Sequence, residues 1–367
     1  MVLPWSTWAM IATLRRSVRF MSVIAPQAKC AHEMGSSRRE LQLSYYTGDT
    51  IKSKVPEWHS PPTRRNDGPD WAGGAKPMGR TIWRTPPWHI RRTGFPEAWR
   101  LLRLRRRRRG PVEIGLLDSG VDLTHPYLRD LLGPGINLLS PGDLPHDDHG
   151  HGTHVAGILA VASGAVGGQR PVWPPPLRIR PVKIFDRQGY GRIRDIIAGL
   201  QWCRAQGCEI VNLSFGTDRR ASEELAEAIR ALEKAGILLV GAAGNDGRGG
   251  AVDTPGKYPE VLAVAAINRR DRLARFSSRG PEVDLVAPGA GLFSLAPGGR
   301  FCRMSGTSMA APHVTAAAAM LLSVRPGLTP PAVRAHLKHT AEWLPQIHAS
   351  AQGAGLLRAD RLLREEP

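Results

Sequence analysis

Cysteine is scarce in this chain. Four stand among 367 residues, Cys30, Cys203, Cys208 and Cys302, too few and too irregularly placed for a disulfide framework or a CxxC metal spacing. Cys203 and Cys208 fall five apart in a predicted helix and its C-terminal turn, a poor spacing for a bridge within one helix. Free, half-buried thiols are the expectation. No stretch reaches the length of a transmembrane helix. The first 14 residues are fairly apolar, but no positive charge precedes them, and Arg15 and Arg16 follow. That order is the reverse of an export signal, so none is expected. The compartment stays open, with the cytoplasm favoured over secretion. No internal repeat is visible.

The N-terminal third is short of acidic residues. Residues 1–110 hold 22 Lys and Arg against 7 Asp and Glu, a net of +15, whereas the remainder holds 28 against 25, a net of +3. Most of the overall +18 therefore lies outside the part that carries recognisable chemistry. No specific nucleic-acid partner is expected, although the basic third offers contacts to anionic surfaces. Residues 1–81 also lack sustained helical or strand periodicity, and contain Pro61-Pro62, Gly73-Gly74 and scattered Trp. They read as an N-terminal extension, either disordered or a pro-segment. Residues 82–367 read as one domain, expected to be a monomer. Near its start, Phe95-Pro96 opens a short helix with proline in the first turn, and the arginine run ending at Arg109 is a solvated loop before the first core strand.

Beyond that loop, strand and helix alternate. Val112–Asp118, Leu177–Phe185, Glu209–Phe215, Ile237–Ala243 and Val261–Ile267 are buried-strand candidates. Helices are predicted over 151–161, 192–206 and 222–235, the last capped by Ser222 with Glu223 and Glu224 in its first turn. A long alanine-rich helix over 308–324 and a shorter one over 330–340 follow. This order predicts an α/β fold with a mostly parallel, doubly wound sheet flanked by helices.

Three short motifs sit at element edges: Leu117-Asp118-Ser119-Gly120, His151-Gly152-Thr153-His154-Val155-Ala156-Gly157 and Gly306-Thr307-Ser308-Met309-Ala310. A serine hydroxyl is a poor nucleophile unless a histidine takes its proton and a carboxylate orients that histidine. Asp118 ends a strand, where ligands bind in open α/β sheets. Ser308 opens a helix, where backbone N–H groups face a developing oxyanion. Asn245, in Ala242-Ala243-Gly244-Asn245, ends another strand and offers an amide donor. Taken singly, Asp118 reads as a turn residue and Ser308 as a helix cap; their joint presence overrides this. Asp143, His146, Asp147, Asp148, His149, His151 and His154 form a rival metal-binding cluster, but their spacing matches no zinc signature and leaves the serine motif unexplained.

In this order along the chain, Asp, His and Ser resemble the subtilisin-like serine proteases. The resemblance covers about residues 85 to 365. It implies a serine endopeptidase with Asp118, His151 and Ser308 as its triad, Asn245 in its oxyanion hole, and polypeptides as substrates. It further implies that Gly189, Tyr190 and Gly191 on one side, and Ser214, Phe215 and Gly216 on the other, pair with substrate backbone. Ala242, Ala243 and Gly244 then wall the primary pocket, with room for a fairly large apolar side chain. By the same resemblance the Thr254–Pro255 bond is cis. Residues 1–81 do not resemble the compact inhibitory pro-domain of many relatives. Tyr127 stands where the family's tight calcium site usually has an aspartate, and the loop 163–176 has few oxygen ligands. No cofactor is expected, and that calcium site is expected to be absent or weak. The competing class, a non-catalytic binding protein on the same scaffold, finds no support while all four chemical groups are present.

Overall fold

A computed structural model describes residues 50–52, 85–105, 108–166, 172, 176–217 and 222–364. Its centre is a seven-stranded parallel sheet. Across it run β3 (Ile136–Asn137), β4 (Leu177–Lys183), β2 (Val112–Asp118), β6 (Ile210–Leu213), β7 (Leu238–Ala242), β8 (Val261–Ile267) and β9 (Val283–Pro288). Every residue of β7 and β8 is buried, as expected for strands covered on both faces. From β2 the chain runs through β3 and β4 on one side, then crosses to β6 on the other. The switch point therefore falls between β2 and β6, where α/β sheets place their ligands.

Two large apolar cores form, one on each face, and a smaller third gathers Ala263, Ala265, Ile267 and Val286 with Leu344, Ile347 and Leu356. Leu117, Val211, Leu213 and Leu239 point into the core covered by α4 (Ile193–Ala205) and α5 (Glu223–Lys234). Ile114, Leu116, Val240 and Val264 point into the core built with α3 (His151–Ala162) and α6 (Thr307–Val324). α5 is amphipathic and starts as the sequence predicts, with Ser222 Oγ accepting from Leu225 N at 3.1 Å. α6 is apolar on all sides, which suits a helix enclosed by protein. Its 18 residues pass for a membrane span by length and composition, contrary to the sequence reading, but 94% of the span is buried inside the fold. Two short helices, α1 (Trp88–Arg92) and α2 (Phe95–Leu104), pack on the α6 side near α9 (Ala359–Arg364). α7 (Pro330–His339) and α8 (Ala349–Gln352) complete the C-terminal part.

The predicted α/β class and every predicted central strand and helix are present, with ends shifted by at most two residues. β3, β9 and a hairpin of β10 (Leu292–Ala296) and β11 (Arg300–Met304) had no clear sequence signal. β9 carries Asp284 and ends at Pro288, features of an edge strand. β5 (Tyr190–Arg192) pairs antiparallel with β1 (Thr50–Lys52), in the register Thr50 to Arg192, Ile51 to Gly191 and Lys52 to Tyr190. Apart from β1, the N-terminal extension over 1–81 lies outside the described residues, as does most of the loop 163–176. Cys203 and Cys208 are buried free thiols, and Cys302 is a partly buried one.

Candidate active site

Neighbouring strands β2, β6 and β7 release their chains at the same edge of the sheet, which gathers residues 118, 214–216 and 242–245. Asp118, the last residue of β2, is buried. Its Oδ1 accepts from Ser119 N and lies 2.7 Å from His151 Nδ1. His151 is the first residue of α3 and is buried; its Nε2 has no hydrogen-bond partner. Ser308 is the second residue of α6 and is 4% exposed. No hydrogen bond joins its hydroxyl to His151; such contacts are often long without substrate.

The turn that carries His151 is braced by a residue that sequence reasoning offered only as a metal ligand. Asp147 is buried and accepts from Ser119 Oγ (2.8 Å), His149 N (3.0 Å), Gly150 N (2.8 Å), Thr153 N (2.9 Å) and Thr153 Oγ1 (2.5 Å). One carboxylate thus folds the loop before His151 and caps the first turn of α3. Lys183 at the end of β4 donates to Ser119 O and to Asp148. Gly152 lets α3 touch the loop after β2: a Cβ there would fall 2.0 Å from Gly120 O. Among the described residues no three His, Cys, Asp or Glu side chains converge as metal ligands, and the acidic members of the rival cluster are instead engaged by hydroxyls, amides and Lys183.

The serine is fixed from both sides. Thr315 Oγ1 donates to Asn212 Oδ1, Asn212 Nδ2 to Ser214 Oγ, and Ser214 Oγ to the Ser308 carbonyl at 2.9 Å, tying β6 to α6. Asn245 Oδ1 accepts from Thr307 N (2.9 Å) and Thr307 Oγ1 (3.1 Å), which orients the amide beside the start of α6. Thr307 Oγ1 in turn accepts from Gly244 N. Phe215 is buried against Phe185, and Gly189 lies in the turn just before β5. Ala242 and Ala243 are buried at the end of β7. The Thr254–Pro255 bond is cis.

Burial holds neighbouring imidazoles neutral. His154, one turn after His151, is pushed down to about 3 by burial first and by His151 second, and its Nε2 lies 3.2 Å from Leu292 O. Burial likewise lowers His149. Between the 147–150 loop and the β10–β11 hairpin lies a cavity of about 220 Å³, lined in part by Asp148, Arg300 and Cys302. Burial pushes the Cys302 thiol up to about 11, which makes it a poor nucleophile. Tyr127 packs its ring against His125 and Phe301.

Comparison with known proteins bears on this geometry. A profile of the subtilase family matches residues 110–358. A thermostable alkaline protease of Halalkalibacterium halodurans is 38% identical over 250 residues, 68% of this chain and 67% of that protein. Subtilisin of Bacillus pumilus is 37% identical over 237 residues, covering 64% of this chain and 84% of its own length. Subtilisin E of Bacillus subtilis is 37% identical over the same length, 61% of that protein. With its parallel sheet, and with Asp118, His151, Asn245 and Ser308 at the ends of the expected elements, this chain belongs to the subtilase family of serine proteases.

Proposed function

We propose that the chain hydrolyses peptide bonds through an acyl-enzyme formed on Ser308. Ser308 Oγ attacks the scissile carbonyl while His151 Nε2 takes its proton. Asp118 holds His151 in the tautomer with Nδ1 protonated and stabilises the imidazolium that forms. Asn245 and the Ser308 backbone N–H bind the oxyanion. His151 then gives the proton to the leaving amine, and water releases the acid by the same route. The observation that carries this reading is the 2.7 Å contact of buried His151 Nδ1 with Asp118, which leaves Nε2 for a reacting proton.

Substrate is an extended polypeptide. Its backbone pairs with residues 189–191 on one side and 214–216 on the other, and 242–244 wall the primary pocket. Antiparallel pairing of Thr50–Lys52 with β5 supports this, since that edge accepts an extended segment of the chain itself. An organophosphonate is expected to label Ser308 alone, and Ser308→Ala to lower kcat by about six orders of magnitude, the loss subtilisin itself shows. Labelling at another residue, or peptidase activity that survives Ser308→Ala, overturns the reading.

A further inference from the structure

We propose that Asp253 makes the primary pocket a receptor for a cationic side chain, so that cleavage follows Arg or Lys. This rests on the hydrolase reading above and deepens it. Sequence reasoning passed over Asp253 and expected an apolar pocket, although it stands next to the Thr254-Pro255 pair already singled out.

Asp253 sits where the two walls of that pocket meet. Its N–H donates to Ala243 O at 2.9 Å, on the 242–244 wall. The next residue, Thr254, exchanges both backbone hydrogen bonds with Thr217, at the end of the 214–216 wall, each 2.9 Å. The segment 253–254 therefore joins the walls across the pocket floor. The side chain lies between two glycines, one in each wall. A Cβ on Gly216 would fall 2.8 Å from Asp253 Oδ2, and one on Gly244 would fall 2.5 Å from it. Gly244 also has φ +109°, which disfavours any side chain. Both walls thus bring bare backbone directly against this carboxylate. Ser278 Oγ lies beside it, 2.9 Å from the same Gly244 Cβ position.

Asp253 is 2% exposed. An apolar side chain seated beside this carboxylate gains no electrostatic partner from it. A guanidinium or ammonium group pairs with it, and arginine can do so through two parallel N–H donors. A site built for a charged partner discriminates strongly against a neutral one.

The test is kcat/KM for matched peptide substrates differing only in the residue before the scissile bond, Arg, Lys, Leu or Phe, with active sites counted by organophosphonate. Arg and Lys are expected to exceed Phe and Leu by about 100-fold. In Asp253→Asn, which keeps side-chain shape, the Arg-to-Phe ratio is expected to fall by about the same factor. Benzamidine, a small cation, is expected to inhibit the unaltered enzyme competitively, a measurement independent of how well the variant folds. An enzyme labelled at Ser308 that prefers Phe or Leu overturns the pocket assignment alone. A protein neither labelled nor active overturns the hydrolase reading and this assignment with it.

Discussion

At the scale of single residues, buried carboxylates do different work according to what surrounds them. Asp118 receives one side chain, His151, and one amide. Asp147 receives two hydroxyls and three amides and touches no reacting group in the proposed mechanism. Its contribution is positional: without it, five donors beneath the His151 turn lose their acceptor. Charge-assisted hydrogen bonds contribute about 1.5–3 kcal/mol each, and their sum is not additive. Asp147→Ala is expected to destabilise the protein by about 3 kcal/mol or more, and Asp147→Asn by less, because one acceptor oxygen remains. Urea unfolding in a Ser308→Ala background, where self-cleavage is removed, measures both. A loss below about 1 kcal/mol for the alanine variant contradicts the organising role.

At the scale of elements, the site depends on how closely α3 approaches β2. Gly152 faces Gly120 O, and Gly157 faces Ser294 and Leu295 of β10. Gly152→Ala places a methyl where its Cβ meets a backbone oxygen at 2.0 Å, so the start of α3 must move. Misplacing a catalytic group by about 1 Å costs about 100-fold in rate. Gly152→Ala is expected to lose at least that in kcat while still folding cooperatively, read from turnover and thermal melting together; wild-type turnover refutes it. Gly152 and Gly157 belong to the His151 motif that the sequence singles out, and the apolar strands β2 and β8 were legible there with ends that match those observed. What escaped were contacts with no local period. Asp147 could be read as one ligand among many, because its five partners reveal themselves only once the loop closes. Asp253 lies in a polar segment with no hydrophobic pattern, and its meaning depends on Gly216 and Gly244, 37 and 9 residues away in sequence. The β10–β11 hairpin turns at Gly298-Gly299, yet its outer strand has no fully buried residue and carries no alternation.

At the scale of the whole molecule, the N- and C-terminal parts of the described domain are fastened by two polar devices that begin to respond to acid at different pH. In the first, His89 of α1 contacts His313 of α6, with Nδ1 to Nε2 at 2.8 Å. Burial is the main cause that lowers both, with His313 and His154 adding to the effect on His89; His313 falls to about 4 and His154 to about 3. These groups take protons more readily when unfolded, at about pH 6.5. Their stabilising effect is therefore complete above that pH and is lost as pH falls toward the folded values, by up to about 1.4 kcal/mol per pH unit for each. In the second, Glu342 accepts a two-pronged hydrogen bond from Arg92 of α1 and another from Arg358. The bond from Arg92 is the largest cause holding it at about 2, against the opposing effect of burial. Its folded value is depressed, so its contribution is present above the ordinary carboxylate range near pH 4.3 and lost as pH falls toward 2. Urea unfolding of Ser308→Ala protein across pH is expected to show stability declining as pH falls below about 6.5, and more steeply below about 4.3. His89→Gln is expected to make the decline shallower already between about pH 6.5 and 4.3, and Glu342→Gln to change it only below that range. A Glu342→Gln effect on the slope above about pH 5, or a His89→Gln slope unchanged there, refutes the assignment.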